Sequence, residues 1–265
     1  MKYQAQDHTW ALCAYGESPY LEECVRSLKN QSVSSRILIA TATPSAYIDG
    51  VAEKYDIPVY INRGEHGIGA DWNFAYSRVK TPLVTLAHQD DRYDPLYTEI
   101  MLERLSCARD PILYFSDYAE LRNGKQVTDN RNMRIKRLLL LPLRVKAFQN
   151  SRFVRRRVLS LGCPVCCPAV TYVREKTGEK PFSTRMKVSL DWDQWELQSR
   201  KKGAFVYEPA RLMDHRVHEG SATTQLIQDH SREQEDLEMF RRFWPEGIAR
   251  FLAKRYAGSE KSNQI

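Results

Sequence analysis

Apolar positions along the first ninety residues follow two alternating rhythms. Residues 10–15 (WALCAY), 36–41 (RILIAT), 57–62 (IPVYIN) and 81–87 (TPLVTLA) are short, nearly continuous apolar runs, the pattern of strands buried on both faces. Between the first two, Leu21, Cys24, Val25 and Leu28 recur at helical spacing, with Ser18 as the expected cap, Pro19 in the first turn and Glu22 and Glu23 at the positive end. PSAYIDGVAEKYD predicts a second helix. GIGADWNFAYSRVK predicts a third, with Trp72, Ala75, Tyr76 and Val79 on one side. Strands alternating with helices imply parallel pairing and helical crossovers, an α/β Rossmann-like layout with its ligand crevice at the carboxyl ends of the strands.

Further on, the pattern predicts a strand at 112–116 ending at Asp117, a strand at VTYV (170–173), a helix over SLDWDQWELQSRK and a strand at GAFVYEP. MDHRVHEGSATT reads as a loop. From Leu237 apolar residues again recur at helical spacing, and Pro245 separates two helices. A single domain over residues 1–224, with an insertion at about 131–157 and a helical extension over 225–265 packed on it, is the simplest organisation.

The stretch LAHQDDRYDP sets two carboxylates side by side directly after an apolar run. Neighbouring strand residues face opposite sides, so the pair makes sense where a strand has ended and the chain turns, which is where sheet enzymes keep their chemistry. Two further clusters stand out: LDWDQW at 190–195 and HRVH at 215–218. Carboxylate oxygens suit Mg²⁺ or Mn²⁺, and histidine admits Mn²⁺ and Zn²⁺.

ALCAYGESPYLEECVRSL, GADWNFAY, LVTLAHQDDRYDP, LDWDQWEL and HRVHEGSATT, in this order, resemble the family-2 glycosyltransferases with the GT-A fold, from about residue 10 to 223. The resemblance implies an inverting enzyme that moves a sugar from a nucleotide-diphosphate sugar, with Mn²⁺ or Mg²⁺. Asp90 would supply the metal carboxylate, with Asp91 as its neighbour or a second metal ligand. His218 would be the Arg-x-His ligand over the diphosphate, and Asp191 the general base. Asp193, about 200° further round a helix, would be a structural or acceptor-binding carboxylate.

Departures from the family pattern bear on the donor. His88 stands where an aspartate usually meets the ribose. IATATPS offers only Thr41 and Thr43 where an aspartate often reads the base. Trp72 precedes Asn73 where an arginine is usual. Glu17 and the backbone of Ala14 and Tyr15 are left to line the base pocket. Asn73 and Arg216 are the remaining donor-side residues.

Charge adds a partner question. Ten of the 40 basic residues lie between Arg131 and Arg157 with no acidic one among them, leaving 30 against 33 acidic residues elsewhere. That stretch also carries Leu138 to Leu141 and Phe148, a combination suited to an anionic membrane surface or to a helix with one solvated face. No helix-turn-helix or zinc-finger signature accompanies it, so nucleic acid is not an expected partner. The acceptor expected from the resemblance is a glycan or lipid-linked saccharide, in cell-envelope polysaccharide synthesis. The opening MKYQAQDHTW lacks a signal peptide's apolar core, and no apolar run nears the roughly 20 residues of a membrane span. A cytoplasmic enzyme, peripheral at the inner face of the membrane, is expected. Two rival readings exist: a zinc-dependent deacetylase of N-acetylglucosamine conjugates, suggested by AHQDD with HRVH, and a non-enzymatic binder of anionic polymer through 131–157. The C-x-x-C pair at Cys163 and Cys166 has no evident partner pair for a zinc site.

Overall fold

The structure, a computed structural model, describes residues 2–218 and 231–260, with the side chains of 231 and 258–260 left aside. The boundary expected at 224 and the GSATT part of the HRVH loop lie outside the described residues. The first half follows the alternation in the sequence: β1 (His8–Ala14), α1 (Leu21–Lys29), β2 (Arg36–Thr41), α2 (Ala46–Lys54), β3 (Val59–Ile61), α3 (Ile68–Arg78) and β4 (Leu83–His88). These four strands lie in the order β3-β2-β1-β4, every pair parallel. Register sets Ala14 beside Thr41 and Cys13 beside His88, so the strand ends share one edge. Ser18 does not cap α1; its first turn follows Tyr20, and the Ser18 hydroxyl turns toward β4.

Past β4 the sheet becomes mixed. After β5 (Arg92–Tyr93) and α4 (Tyr97–Cys107) come β6 (Pro111–Arg122) and β7 (Lys125–Val127). Next are three short helices, α5 (Arg131–Leu140), α6 (Lys146–Gln149) and α7 (Arg152–Leu159), followed by β8 (Val170–Val173). β8 lies antiparallel between β4 and β6, and β9 (Ala204–Val217) runs parallel to β6. Two expectations are corrected here. The strand at 112–116 runs on to Arg122, and residues 213–217 are the far half of β9 instead of a loop. Pro209 interrupts the apolar pattern at a bulge, where the pairing passes from Ser116 with Glu208 to Asp117 with Arg211 and then resumes. The extra length carries HRV back to the edge where β4 ends.

After α8 (Arg174–Thr177), α9 (Leu190–Ser199) precedes β9, and α10 (Ser231–Arg241) and α11 (Glu246–Glu260) close the described chain. Two apolar clusters flank the sheet. One gathers Trp10, Leu12, Val25, Ile48 and Met101 under α1, α2 and α4. The other gathers Ala11, Leu86, Tyr76, Trp195 and Phe240 under α3, α9 and α10. The buried His8 imidazole, bonded to Ser35 and Thr85, is driven down to about 3 by burial and serves as a neutral core group.

The basic stretch is not one surface. Arg137 pairs with Asp117 at 2.6 Å, and Arg156 pairs with Glu196. Arg155 is fully buried, stacks on Phe205 and donates to the carbonyls of Ser199, Lys201 and Gly203. It thereby fastens α7 to the turn between α9 and β9. Arg155→Ala would strand those carbonyls and lower stability by about 3 kcal/mol, read as a shifted urea midpoint.

Candidate active site

The turn after β4 is held from three sides. Gln89 bonds the backbone of Tyr15 in both directions, at 2.9 and 2.8 Å, tying the turn to the end of β1. Ser18 donates to Asp90 Oδ1 at 2.6 Å. Asp91, only 2% exposed, accepts at Oδ1 from the His215 ring at 3.0 Å and the Arg216 amide at 2.9 Å, tying β4 to the end of β9. Burial pulls the His215 imidazole down and the Asp91 carboxylate outweighs it, leaving a net upward shift. His215 therefore favours its charged form against Asp91.

Arg216 completes this seam. Its Nε donates to the Asp90 carbonyl at 2.7 Å, its Nη2 meets Glu23 at 2.6 Å, and its guanidinium lies 4.1 Å from the centre of the Tyr20 ring. The residue is 8% exposed, and its Nε and Nη2 face protein groups, so these donors position the turn. Asn73, likewise expected on the donor side, exchanges both hydrogen bonds with the Phe182 backbone and braces that loop against α3. Gly69 lets the loop approach, since a Cβ there would sit 2.3 Å from the Ser183 carbonyl.

Asp90 and His218 do meet. Asp90 Oδ2 lies 3.2 Å from His218 Nε2, and the His218 ring meets the Tyr20 ring edge-on. Adjacent ligands on an octahedral Mg²⁺ or Mn²⁺ with bonds of about 2.1 Å stand roughly 3 Å apart, so this pair can occupy two neighbouring positions. Among the described residues no group of three or more His, Cys, Asp or Glu side chains is arranged to hold a metal. A two-ligand site suits a cation that takes its other ligands from phosphate and water. The Asp91 oxygen on the protein side is already committed to β9.

The donor-side candidates line the same edge. His88 stacks on Trp72 with ring centres 5.0 Å apart, and burial holds its imidazole below the ordinary value against the pull of Asp91. Ala14 is buried at the end of β1, while Tyr15 and Glu17 are exposed just beyond it. Thr41 is buried and accepts from the Thr43 amide at 3.0 Å; Thr43 in turn accepts from the Gly16 amide at 2.7 Å. These threonines shape the loop around the mouth.

Asp191 sits half-buried in the first turn of α9. Its Oδ1 accepts from the Trp192 amide at 2.7 Å, and the Cys163 thiol lies 3.7 Å from Oδ2. Burial pushes its carboxyl up; the Trp192 N–H and the Lys136 charge oppose the shift without cancelling it. Cys166 lies within electrostatic reach of both Asp91 and Asp191, and Lys136 within reach of both Asp191 and His215. Asp193 faces the other way and pairs with Arg242, just past the end of α10.

The C-terminal helices support α9. Glu235 accepts the backbone N–H groups of Lys187, Val188 and Ser189 at 2.7, 2.8 and 2.8 Å, and Asp236 accepts the Ser189 hydroxyl at 2.9 Å. Donors just ahead of a helix's positive end are thus satisfied by carboxylates from another helix. Tyr256 of α11 packs on Trp192 and accepts from the Cys163 amide. Sequence reasoning did not reach Gln89, Glu235 or Lys136: each acts on a partner at least 18 residues away, and no local spacing marks such pairs.

The profile described as Glycosyl transferase family 2 matches residues 9–180. No curated protein sequence matches the chain. Among solved structures, a mannosyltransferase of Pyrobaculum calidifontis in complex with GDP-Man and Mn²⁺ superposes with a TM-score of 0.64 at 11% identity, covering 99% of this chain and 77% of that one. TarS 1-349 of S. aureus in complex with UDP gives a TM-score of 0.62 at 12% identity, covering 96% and 72%. Glucosyl-3-phosphoglycerate synthase of Mycobacterium tuberculosis with Mn²⁺ and UDP-Glc gives 0.54 at 14% identity, covering 88% and 79%. At these identities the likeness establishes the fold, the GT-A arrangement of these transferases.

Because burial raises the Asp191 carboxyl, the folded state binds its proton more tightly than the unfolded chain. Ionising it therefore costs stability as pH rises from the ordinary carboxylate range through the raised value. Asp191→Asn keeps an acceptor for the Trp192 amide and removes that cost. The variant is expected to be more stable than the parent in urea at pH 7, with the difference closing as pH falls to the ordinary carboxylate range.

Proposed function

The chain belongs to glycosyl transferase family 2, and from that premise we propose that it transfers a sugar, with inversion, from a nucleoside-diphosphate sugar to a hydroxyl of a glycan or lipid-linked acceptor. The observation that carries this reading is the meeting of Asp90 with His218 at 3.2 Å beside a separate, half-buried Asp191.

Asp191 takes the proton of the acceptor hydroxyl as its oxygen attacks the anomeric carbon. The bond from that carbon to the diphosphate oxygen breaks, and the nucleoside diphosphate leaves with the electron pair. The raised carboxyl of Asp191 makes it a stronger base than an exposed aspartate. Asp90 and His218 would hold Mn²⁺ or Mg²⁺, which neutralises charge developing on the leaving diphosphate. The metal and diphosphate sugar held by the mannosyltransferase and by the glucosyl-3-phosphoglycerate synthase support this assignment. Asp91 serves as the anchor of the metal-binding turn and Arg216 as its brace. Trp72 and His88 offer the donor a stacked aromatic wall, with Tyr15 and Glu17 at its outer rim.

A role in cell-envelope polysaccharide synthesis, on the cytoplasmic side of a membrane, follows as the setting. No helix among the described residues is long and apolar enough to cross a membrane. Six basic residues of the 131–157 stretch remain exposed (Arg131, Arg134, Arg144, Lys146, Arg152 and Arg157), interspersed with exposed Leu138, Leu141, Phe148 and Phe153. That surface suits peripheral contact with anionic lipid. Phe153→Ser combined with Leu138→Ser should reduce sedimentation with phosphatidylglycerol vesicles; unchanged sedimentation removes the membrane contact.

Asp90→Ala is expected to weaken Mn²⁺-dependent binding of UDP or GDP at least tenfold by calorimetry. Asp191→Asn should keep that affinity while transfer falls by about 10²–10⁴. Undiminished binding by Asp90→Ala, or a near-normal rate from Asp191→Asn, refutes the corresponding role.

A further inference from the structure

The first cysteine of the C-x-x-C segment turns its thiol toward Asp191. Cys163 Sγ lies 3.7 Å from Asp191 Oδ2 and 3.7 Å from the Val165 carbonyl oxygen. The stretch that carries it is pinned on several sides. Trp192, the neighbour of Asp191, donates from Nε1 to the Leu159 carbonyl at 3.0 Å, and Trp244 donates to the Ser160 carbonyl at 2.7 Å. Gly162 lies so close to Tyr256 of α11 that a Cβ would sit 2.8 Å from that ring, and the Tyr256 hydroxyl accepts from the Cys163 amide at 3.5 Å. The Tyr256 ring in turn packs on Trp192, with centres 5.7 Å apart. One tyrosine thus backs both the residue beside the carboxylate and the residue bearing the thiol, and their separation is set by packed neighbours.

The thiol has one proton and two acceptors at equal distance. Burial, followed by the Asp191 charge, pushes this thiol well above its ordinary value, so it stays protonated, the form that donates. An ionised carboxylate is a stronger acceptor than a carbonyl, so the proton points to Oδ2 while Asp191 is charged. Oδ1 is already held by the Trp192 amide, and a bond to each oxygen fixes the plane of the carboxylate. Because S–H is a weak donor, it orients the group while leaving most of its basicity. Once Asp191 has gained a proton, the thiol turns to the Val165 carbonyl and keeps its own.

We propose that Cys163 is a positioning residue for transfer, its thiol aligning the Asp191 carboxylate with the acceptor hydroxyl and swinging to Val165 when that carboxylate takes the proton. The proposal rests on the transferase reading with Asp191 as base, and deepens it by giving the base its orienting partner. Lys136 of α5, Arg232 of α10, Cys166 and Cys167 of the same segment and Tyr172 of β8 also lie within electrostatic reach of Asp191. All of these are common to the parent and to Cys163 variants, so a difference between them reads the thiol.

The test is the titration of the Asp191 carboxyl in the full chain, followed by carbon NMR of labelled aspartate and assigned by its loss in Asp191→Asn. In Cys163→Ala the midpoint should rise by about half a pH unit, because a donor to the charged form is gone. Cys163→Ser, whose hydroxyl is the stronger donor, should hold it at or below the parent value. Turnover of UDP-Glc or GDP-Man with Mn²⁺, whichever the parent hydrolyses, should fall about tenfold in Cys163→Ala with KM unchanged, and recover in Cys163→Ser. A midpoint unmoved or lowered in Cys163→Ala, or raised in Cys163→Ser, overturns the contact. A shifted midpoint with unchanged turnover overturns the positioning role. A parent chain that binds neither UDP nor GDP with Mn²⁺ overturns the transferase reading instead, and the titration still decides the contact.

Discussion

A single buried carboxylate, Asp91, joins two strand ends that the chain separates by more than 120 residues. Its Oδ1 accepts from His215 and from the Arg216 amide, and Arg216 in turn holds the Asp90 carbonyl. A desolvated carboxylate needs such donors, and Oδ1 takes two of them, placing the ends of β4 and β9 relative to each other within hydrogen-bond tolerance, while Oδ2 is buried without a hydrogen-bond partner. Every distance in the candidate metal pair depends on this seam. Without it the turn bearing Asp90 would keep its ties to Tyr15 and Ser18, and β9 its pairing with β6, but the two strand ends would lose their direct tie to each other.

The acidic pair after β4 is thus divided by function. Neighbouring residues leaving a strand point to different sides, and here one side is the protein interior and the other the crevice. Asp91 turns inward and works as structure. Asp90, set by Ser18 and the Arg216 brace, presents its second oxygen to His218. The adjacency in HQDD sets an inward-facing anchor, Asp91, next to a candidate ligand, Asp90.

Asp191 is held by different means. α9 receives its support from the far end of the chain, where Glu235 covers three backbone N–H groups before the helix and Tyr256 packs behind Trp192. The C-terminal helices are therefore part of the scaffold that holds Asp191, and the profile match at residues 9–180 stops short of the segment that carries it. Support from a distant helix also explains how a partly buried carboxylate persists at a cost to stability, a trade common where a site must be reactive.

The first four strands and three helices were legible because apolar runs and helical spacing are local signals, and burial on both sheet faces leaves no other reading of RILIAT or LVTLA. HQDD, LDWDQW and HRVH were legible as chemistry because carboxylates and histidines at strand ends and helix starts are costly to place without partners. The reach of β9 was not legible, since Pro209 breaks its pattern while pairing with β6 continues across the bulge. Nor were the duties of Asn73 and Arg216, polar residues whose partners, Phe182 and Glu23, lie 109 and 193 positions away. The amino-acid sequence by itself determined which elements form and which residue types reach the sheet edge. Only the tertiary structure decided which of those side chains face the crevice and which are used to hold it, because that choice rests on hydrogen bonds between groups that no local pattern pairs.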